Sequence, residues 1–215
     1  KRQAQEGMHG DYGANIGKVI AIRKDLPSLL KAYAAAGSDA RMNGCELPVV
    51  INSGSGNQGL TVSVPLIIYA EREHLDKEKL YRALVISNLT AIHLKTEIGR
   101  LSAFCGAVSA GAACGAGLAY LKDASEEVMN HTIVNALAIT SGIICDGAKA
   151  SCAAKIAVSV EAGILGYDMY MNGQQFYGGD GIISKGIENT IHNIGVLGSQ
   201  GMASTDQEII KIMCE

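Results

Sequence analysis

Proline is confined to the first third of the chain, where Pro27, Pro48 and Pro65 occur, and residues 66–215 contain none. Because proline interrupts the interior of a helix, so long a stretch without it favours continuous helices. Runs of β-branched residues are restricted to Pro48 to Ile51 and Leu60 to Ile68, so strand signals are weak. The chain is therefore predicted to fold as an all-α protein.

Apolar spacing and helix start signals place four helices. The predicted spans are Pro27 to Ala36, Leu75 to Lys95, Ser125 to Cys145 and Thr205 to Met213. Ser125 is followed by two glutamates, a pattern typical of helix N-termini. Thr205 and Glu208 form a capping-box pattern, which predicts that the last helix begins at Thr205.

Two further segments, residues 105–121 and 151–165, consist largely of small residues. The chain has 26 glycines, two phenylalanines and no tryptophan, so its core must depend on close backbone approach. Helices with small apolar residues on every side are typical of the centre of a bundle. A membrane span is the alternative, but overall hydropathy is modest. We predict one compact helical domain, residues 1–215, around these central helices.

Composition bounds the possible functions. With 48% hydrophobic and 18% charged residues, disorder is not expected. A net charge of −3 without a basic run favours neither a nucleic-acid nor a membrane partner. Six cysteines are too few for a disulfide scaffold, and no signal peptide precedes them, which favours a cytoplasmic location. The chain starts at Lys1 and not at a methionine, so we expect it to be part of a longer protein.

A glycine-rich loop, I-N-S-G-S-G-N-Q-G-L, is predicted at residues 51–60. Its closely spaced glycines permit positive φ, so that successive N–H groups can surround an anion. The candidate binding residues are Asn52, Ser53, Gly54, Ser55, Gly56, Asn57 and Gln58. No Gly-Lys-Ser/Thr follows, which argues against a nucleotide phosphate. The loop is either a polar turn between apolar runs or, as we favour, a carboxylate site.

The stretch C-D-G-A-K-A-S-C, residues 145–152, contains two cysteines seven residues apart. A continuous helix would separate their Cα atoms by about 10.5 Å, at a rise of 1.5 Å per residue. That distance is too long for a disulfide. Cys145 and Cys152 are therefore either unrelated buried thiols or two ligands that the chain brings together by bending at Gly147.

Together with Cys105, these cysteines form a candidate metal-ligand set. Zinc would require a fourth ligand, for which His93 and His131 are available. Three thiolates without a fourth ligand also suit a 4Fe-4S cluster that leaves one iron open. The other cysteines, Cys45, Cys114 and Cys214, are interpreted as small hydrophobic residues.

Five blocks of the sequence together resemble the L-cysteine desulfidase family, which is in turn similar to the α-chain of iron–sulfur L-serine dehydratase. The blocks are S-D-A-R-M-N-G (38–44), N-S-G-S-G-N-Q-G (52–59), I-G-R-L-S-A-F-C-G (98–106), C-D-G-A-K-A-S-C (145–152) and T-D-Q-E-I-I (205–210). The resemblance extends over essentially all 215 residues but covers only the C-terminal half of the family pattern. The family's candidate catalytic cysteine, near the N-terminus of the complete protein, has no counterpart here.

The resemblance implies that Cys105, Cys145 and Cys152 hold a 4Fe-4S cluster and that the loop from Asn52 to Gln58 binds the substrate carboxylate. Lys149 is a further candidate for substrate binding. The implied reaction converts L-cysteine to pyruvate, ammonia and sulfide by α,β-elimination, without pyridoxal phosphate. L-Serine dehydration and a non-catalytic assembly or regulatory role are the alternatives.

The implied partners are a small amino-acid substrate, the N-terminal half or a partner chain of the same enzyme, and a second copy in a homo-oligomer. No catalytic residue is assigned. His93 and Lys95 are interpreted as a helix-surface pair, and Asp39 and Arg41 as a structural ion pair or helix cap.

Binding of one cluster by these three cysteines requires a particular path of the backbone. We expect a helix to end near Cys145, a turn to pass through Asp146 and Gly147, and a new helix to begin shortly before Cys152. The N–H groups of that new helix would then face the negative charge of the cluster. Cys105 should approach the same point from another helix, with the glycine-rich loop lining the open side.

Overall fold

The computed structural model describes residues 1–99 and 101–215. Ten α-helices account for most of this part of the chain, which contains no strand, so the all-α prediction is confirmed. The helices are α1 (Arg2–His9), α2 (Ile16–Ala21), α3 (Leu26–Met42), α4 (Gly56–Arg72), α5 (Lys77–Ile98), α6 (Gly106–Leu121), α7 (Glu126–Thr140), α8 (Cys152–Met171), α9 (Ile187–Val196) and α10 (Ala203–Cys214). A π-helical turn, Leu197–Gly201, joins α9 to α10.

Helix α6 lies at the centre and packs against α4, α5, α7 and α8. All its residues except Gly106 and Tyr120 are buried. Its glycines bring it against the backbone of α8, because a Cβ atom at Gly111 would lie 2.3 Å from the carbonyl oxygen of Ser159. The segment 105–121 therefore forms the central helix of the bundle, as the sequence predicts. The segment 151–165 forms the first part of α8, which packs one face on α6 but exposes Val158 and Leu165 on the other, so the prediction of a second fully surrounded helix is wrong.

A local side-chain cap marks the start of four helices, α3, α4, α5 and α7. Ser125 accepts a hydrogen bond from the N–H of Val128, as expected for the N-cap of α7. Thr205, in contrast, lies inside α10, so the predicted capping box is wrong. The chain enters α10 from the π-helical turn, where Met202 N–H donates to Leu197 O, and the helix needs no new side-chain cap.

The segment from Leu60 to Ile68, one of the two β-branched runs, is helical and belongs to α4. Most of its side chains are buried against α3, α5 and α6. Tertiary packing of this kind overrides the weak intrinsic preference of valine and isoleucine for strands.

In the part of the chain that the structure describes, no helix combines the length and the apolar character that crossing a membrane requires.

Candidate functional site

A cavity of about 260 Å³ lies where the starts of α4, α6 and α8 approach the last turn of α5. Cys105, Cys145 and Cys152 all line it. Its polar lining is completed by Ser53, Ser55, Asn57, Gln58, Lys95, Ser102 and Lys155. The structure thus brings the three predicted ligands and most of the glycine-rich segment to one place.

Backbone hydrogen bonds hold Cys105 beside Cys145. The N–H of Cys105 donates to Ile143 O at 3.3 Å, and the N–H of Cys145 donates to Ala103 O at 2.6 Å. These contacts form an isolated antiparallel bridge between Phe104 and Ile144. The start of α6 and the segment after α7 are therefore tied together at the cavity.

The helix break predicted between Cys145 and Cys152 is confirmed, because α7 ends at Thr140 and α8 begins at Cys152. Gly147 adopts a φ of +92° in the intervening segment, a conformation that glycine adopts without steric cost. Helix α7 ends earlier than the expected position near Cys145. The reason is the bridge described above, which uses the backbone of Ile143 and Cys145 for pairing outside a helix.

Neighbouring groups contact the cysteine thiols at the cavity. A hydrogen bond from the Cys105 thiol lowers the pKa of Cys145, and the N–H of Gly147 and the Lys155 ammonium act in the same direction. The Cys152 sulfur lies 3.5 Å from the N–H of Lys149 and 3.7 Å from Gly147 O, within the turn that precedes α8. The donor set at the cavity is thus rich in sulfur and supported by cations.

Within residues 1–99 and 101–215, no three His, Cys, Asp or Glu side chains converge closely enough to hold a single metal ion. His93 pairs with Glu188 at 2.8 Å, and His131 stacks on Tyr170, so neither supplies the fourth ligand that zinc would require. A polynuclear cluster is larger, and its thiolate ligands stand apart around it. The three thiols that line one cavity supply the type of donor that such a cluster takes.

The loop within the glycine-rich segment is shorter than predicted. Asn52 and Ser55 exchange two backbone hydrogen bonds, at 3.1 and 3.0 Å, and close a tight turn. Ser53 and Gly54 occupy this turn with positive φ. Helix α4 then begins at Gly56, capped by Ser55. Asn57 and Gln58 consequently lie in the first turn of a helix and not in a loop.

Three of the predicted substrate-binding residues, Asn52, Gly56 and Lys149, do not line the cavity. The amide of Asn52 donates to Asn88 Oδ1 at 3.0 Å. Lys149 pairs with Asp146 at 2.9 Å. Ser53, Gly54, Ser55, Asn57 and Gln58 do line the cavity, although Asn57 Oδ1 also accepts a hydrogen bond from Arg41 at 3.3 Å.

Two lysines that the sequence did not assign to the site line the cavity. Lys155 follows Cys152 by three residues on α8, a spacing that places both on one helix face, and it pairs with Asp146. Lys95 is buried, whereas the sequence favoured a surface position for it. Of the predicted surface pair, His93 is the residue that is exposed. No local pattern distinguishes Lys95 from a surface lysine, because its burial depends on packing against distant segments.

The motif containing Asp39 and Arg41 has a structural role. Asp39 is buried, and its carboxylate accepts a hydrogen bond from the N–H of Gly17, in the first turn of α2, at 3.0 Å. Arg41 contacts Asn57. Of the two interpretations offered by the sequence, the helix cap is therefore confirmed for Asp39, and Asp39 and Arg41 do not form the alternative ion pair.

Sequence comparisons place the chain among known proteins. It is 64% identical to a UPF0597 protein of Desulfitobacterium hafniense, over 98% of this chain and 49% of that protein. Identity is 54% to a UPF0597 protein of Lachnoclostridium phytofermentans, over 98% of this chain and 51% of that protein. A UPF0597 protein of Finegoldia magna is 52% identical, over 99% of this chain and 51% of its own length.

The chain thus spans about half the length of these curated relatives. No solved structure matches it. Residues 1–211 match the family described as the serine dehydratase alpha chain. The resemblance to the L-serine dehydratase α-chain is thereby confirmed, and the chain belongs to the serine dehydratase alpha chain family.

Proposed function

We propose that this chain is the cluster-binding domain of a carbon–sulfur lyase that degrades L-cysteine to pyruvate, ammonia and sulfide. The observation that carries the proposal is that Cys105 and Cys152, at the starts of α6 and α8, and Cys145, in the segment between α7 and α8, line one cavity. Membership in the serine dehydratase alpha chain family supports a lyase-like domain.

Cys105, Cys145 and Cys152 would hold a 4Fe-4S cluster. When bound, such a cluster supplies a Lewis-acidic iron that stabilises the leaving group of the substrate. Helix α6 begins immediately after Cys105, and α8 begins at Cys152, so the positive ends of two helix dipoles lie at the thiolates. Lys155 adds a cation close to the same cysteines. These features balance the negative charge that three thiolates bring to a partly buried site.

The tight turn and the start of α4 would bind the α-carboxylate. The first N–H groups of a helix have no partner within the helix, and its dipole favours an anion there. In the proposed reaction the substrate loses its α-proton and its sulfur, which leaves as sulfide. The resulting 2-aminoacrylate takes up water and yields pyruvate and ammonia. This scheme does not use pyridoxal phosphate.

L-Serine dehydration is the second candidate, and the family description favours it. The two reactions differ only in whether sulfur or oxygen leaves the β-carbon. A third possibility is a non-catalytic assembly or regulatory subunit. In that case the three cysteines would serve only as packed side chains.

The test is anaerobic purification of the full-length protein that contains this chain. We expect a brown protein with equal amounts of iron and acid-labile sulfide, and pyruvate formation with a higher kcat/KM for L-cysteine than for L-serine. The opposite preference would assign the dehydratase reaction. A colourless, iron-free protein from the same anaerobic preparation would contradict the proposal and favour the non-catalytic role.

Replacing Ser55 by alanine is expected to raise KM or lower kcat and to leave the iron content unchanged, because Ser55 orders the carboxylate-binding start of α4 and contacts no cluster ligand. Ser125→Ala is the matched control. Both serines cap a helix through a 3.4 Å hydrogen bond from an N–H three residues later. Each substitution should cost about 1 kcal/mol of stability. Steady-state kinetics and iron assays compare them.

Asn57→Ala should affect the kinetics in the same direction as Ser55→Ala, since Asn57 also lines the cavity. If Ser55→Ala and Ser125→Ala alter the kinetic constants equally, the first turn of α4 has no role in substrate binding. The glycine-rich segment would then be only a structural turn.

We also propose that the half of the full-length protein outside this chain packs on the exposed face of α5. Tyr81, Val85, Leu89 and Ile92 recur every three or four residues and form an apolar stripe on one side of that helix. The stripe ends at a second cavity of about 790 Å³, which shares Ser53, Gly54 and Lys95 with the first. A partner of about the same length as this chain, seated there, would close the site.

Thiol labelling tests this docking face. Leu89 is 60% exposed in this domain, and Val158, on α8, is 52% exposed. In the full-length protein, a Leu89→Cys variant should react with an alkylating reagent at least about tenfold more slowly than a Val158→Cys variant, because covered side chains are inaccessible to solvent. Peptide mass spectrometry measures the two rates. Equal rates would contradict the proposed docking face.

A further inference from the structure

Lys95 is a buried cation in the wall of the cavity. It lies in the last turn of α5, is 6% exposed and contributes to both the first and the second cavity. Lys149 and Lys155 each pair with Asp146. Lys95 forms no ion pair with any carboxylate of the described residues within 4.0 Å. Burial lowers the pKa of Lys95, and Cys145, Cys105 and Asp206 oppose this effect from a distance.

Gln58 presents an unsatisfied acceptor in the same wall. Its side chain is 6% exposed, and its Oε1 atom is buried without a hydrogen-bond donor in the described structure. The amide packs over Gly106, where a Cβ atom would lie 2.5 Å from Gln58 Nε2. The amide therefore lies against the start of α6, in the wall of the cavity.

A ligand would stabilise both groups. The buried Gln58 acceptor loses hydration that no donor of the described residues replaces, and the Lys95 ammonium, on a largely buried side chain without a paired carboxylate, faces the cavities where an anion can reach it. A ligand with a carboxylate and an ammonium group would satisfy the two at once. The start of α4 lies beside them and provides N–H donors for the same carboxylate.

We propose that Lys95 and the start of α4 bind the α-carboxylate of a free α-amino acid, and that Gln58 Oε1 accepts a hydrogen bond from its α-ammonium group. The inference rests on the proposed function in taking an amino acid as the ligand, and it names the residues that recognise its two charges. It selects free zwitterionic amino acids over hydroxy acids, which lack the ammonium, and over amides, which lack the carboxylate.

The competing interpretation is that Lys95 only balances the charge of the cysteine thiolates. The two roles make different predictions for ligands that lack one charge. If Lys95 contacts the carboxylate, its removal weakens the binding of only those ligands that carry a carboxylate. If it acts through the cysteines, its removal lowers the iron content and weakens the binding of all ligands to the same degree.

Calorimetric titration of the full-length protein with L-alanine tests the inference. L-Alanine has no β leaving group, so it binds without turnover. We expect Lys95→Met to weaken L-alanine binding at least about tenfold, as for other buried charge contacts. L-Alaninamide, which lacks the carboxylate, should bind more weakly than L-alanine to the wild-type protein, and the same substitution should leave this weaker affinity unchanged. Lys77→Met, an exposed position on the same helix, is the matched control and should alter neither ligand.

The ammonium contact is tested with propanoate, which has the carboxylate alone. Gln58→Leu should weaken the binding of L-alanine and of L-alaninamide to the same degree and leave the binding of propanoate unchanged. Lys95→Gln replaces Lys95→Met if the latter does not fold, since it keeps a polar group of similar length.

The inference is overturned if the wild-type protein does not bind L-alanine. It is also overturned if Lys95→Met weakens L-alanine and L-alaninamide equally, or lowers the iron content. These outcomes are separate from the proposed function. Lys95-dependent binding without pyruvate formation would contradict the lyase reaction and leave this inference intact, whereas normal turnover by Lys95→Met would contradict this inference alone.

Discussion

Replacing Cys105, Cys145 or Cys152 individually by serine is expected to remove essentially all bound iron and acid-labile sulfide, and with them pyruvate formation. A cluster with three protein ligands has no spare thiolate, and a serine hydroxyl does not replace one at neutral pH. All three cysteines line the same cavity, so the loss of any one should be equally severe. Iron and sulfide assays on anaerobically purified variants measure the effect.

The remaining cysteines provide the controls. Cys114 is fully buried in α6, Cys214 is exposed, and Cys45 is half-buried beside Gln3. None of them lines the cavity. Cys114→Ala, Cys45→Ser and Cys214→Ser should keep the cluster and lose at most some packing energy. If Cys114→Ala lost as much iron as Cys145→Ser, the assignment of the ligands would be wrong. Circular dichroism should show that all variants retain the helical fold.

Replacing Gly111 by alanine is expected to destabilise the fold, although alanine is normally the better helix former by roughly 0.5–1 kcal/mol. The added Cβ atom would lie 2.3 Å from the backbone oxygen of Ser159 and 2.5 Å from its carbonyl carbon. Backbone atoms cannot turn aside as a flexible side chain can, so α6 and α8 must move apart. Overpacking of this kind costs about 1–3 kcal/mol. Thermal unfolding followed by circular dichroism measures the loss.

Gly142→Ala is the matched control for Gly111→Ala. Apart from Gly142 itself and its two chain neighbours, no atom of the described residues lies within 4 Å of the position that its Cβ would occupy. This substitution should therefore leave the free energy of unfolding unchanged or raise it by a few tenths of a kcal/mol, because it restricts the unfolded chain. Equal melting temperatures for the two variants would indicate that α6 and α8 do not depend on close backbone contact.

Local patterns predicted the helices well where a residue and its near neighbours were sufficient. Ser125 caps α7 through its own side chain, and the proline-free part of the chain is largely helical, apart from segments such as 141–151 and 172–186. The errors arose where contacts with a distant segment outweighed the preference of the local sequence. Leu60 to Ile68 is helical because α3, α5 and α6 bury it, and α7 stops at Thr140 because the next residues pair with the start of α6.

The candidate site was predicted in part. The need for a bend at Gly147 follows from sequence spacing, since a straight helix cannot bring Cys145 and Cys152 together. The assignment of Cys105, Cys145 and Cys152 as cluster ligands came from the family resemblance and stays a prediction. The glycine-rich segment was placed correctly at the cavity, yet its side chains divide between two roles. Asn52 is directed to Asn88, whereas Gln58 lines the cavity. Sequence composition does not reveal which side of a turn faces a site.

By itself, the sequence determined the helical class and the central small-residue helix α6, because these depend on residue type and short-range spacing. Only the tertiary structure decided that Lys95 is buried in the cavity while His93, two residues earlier, is exposed and pairs with Glu188. Burial at a single helix position depends on which segments cover that face, and those segments come from distant parts of the chain. The same reason explains Lys149, whose charge is paired with Asp146 outside the cavity lining.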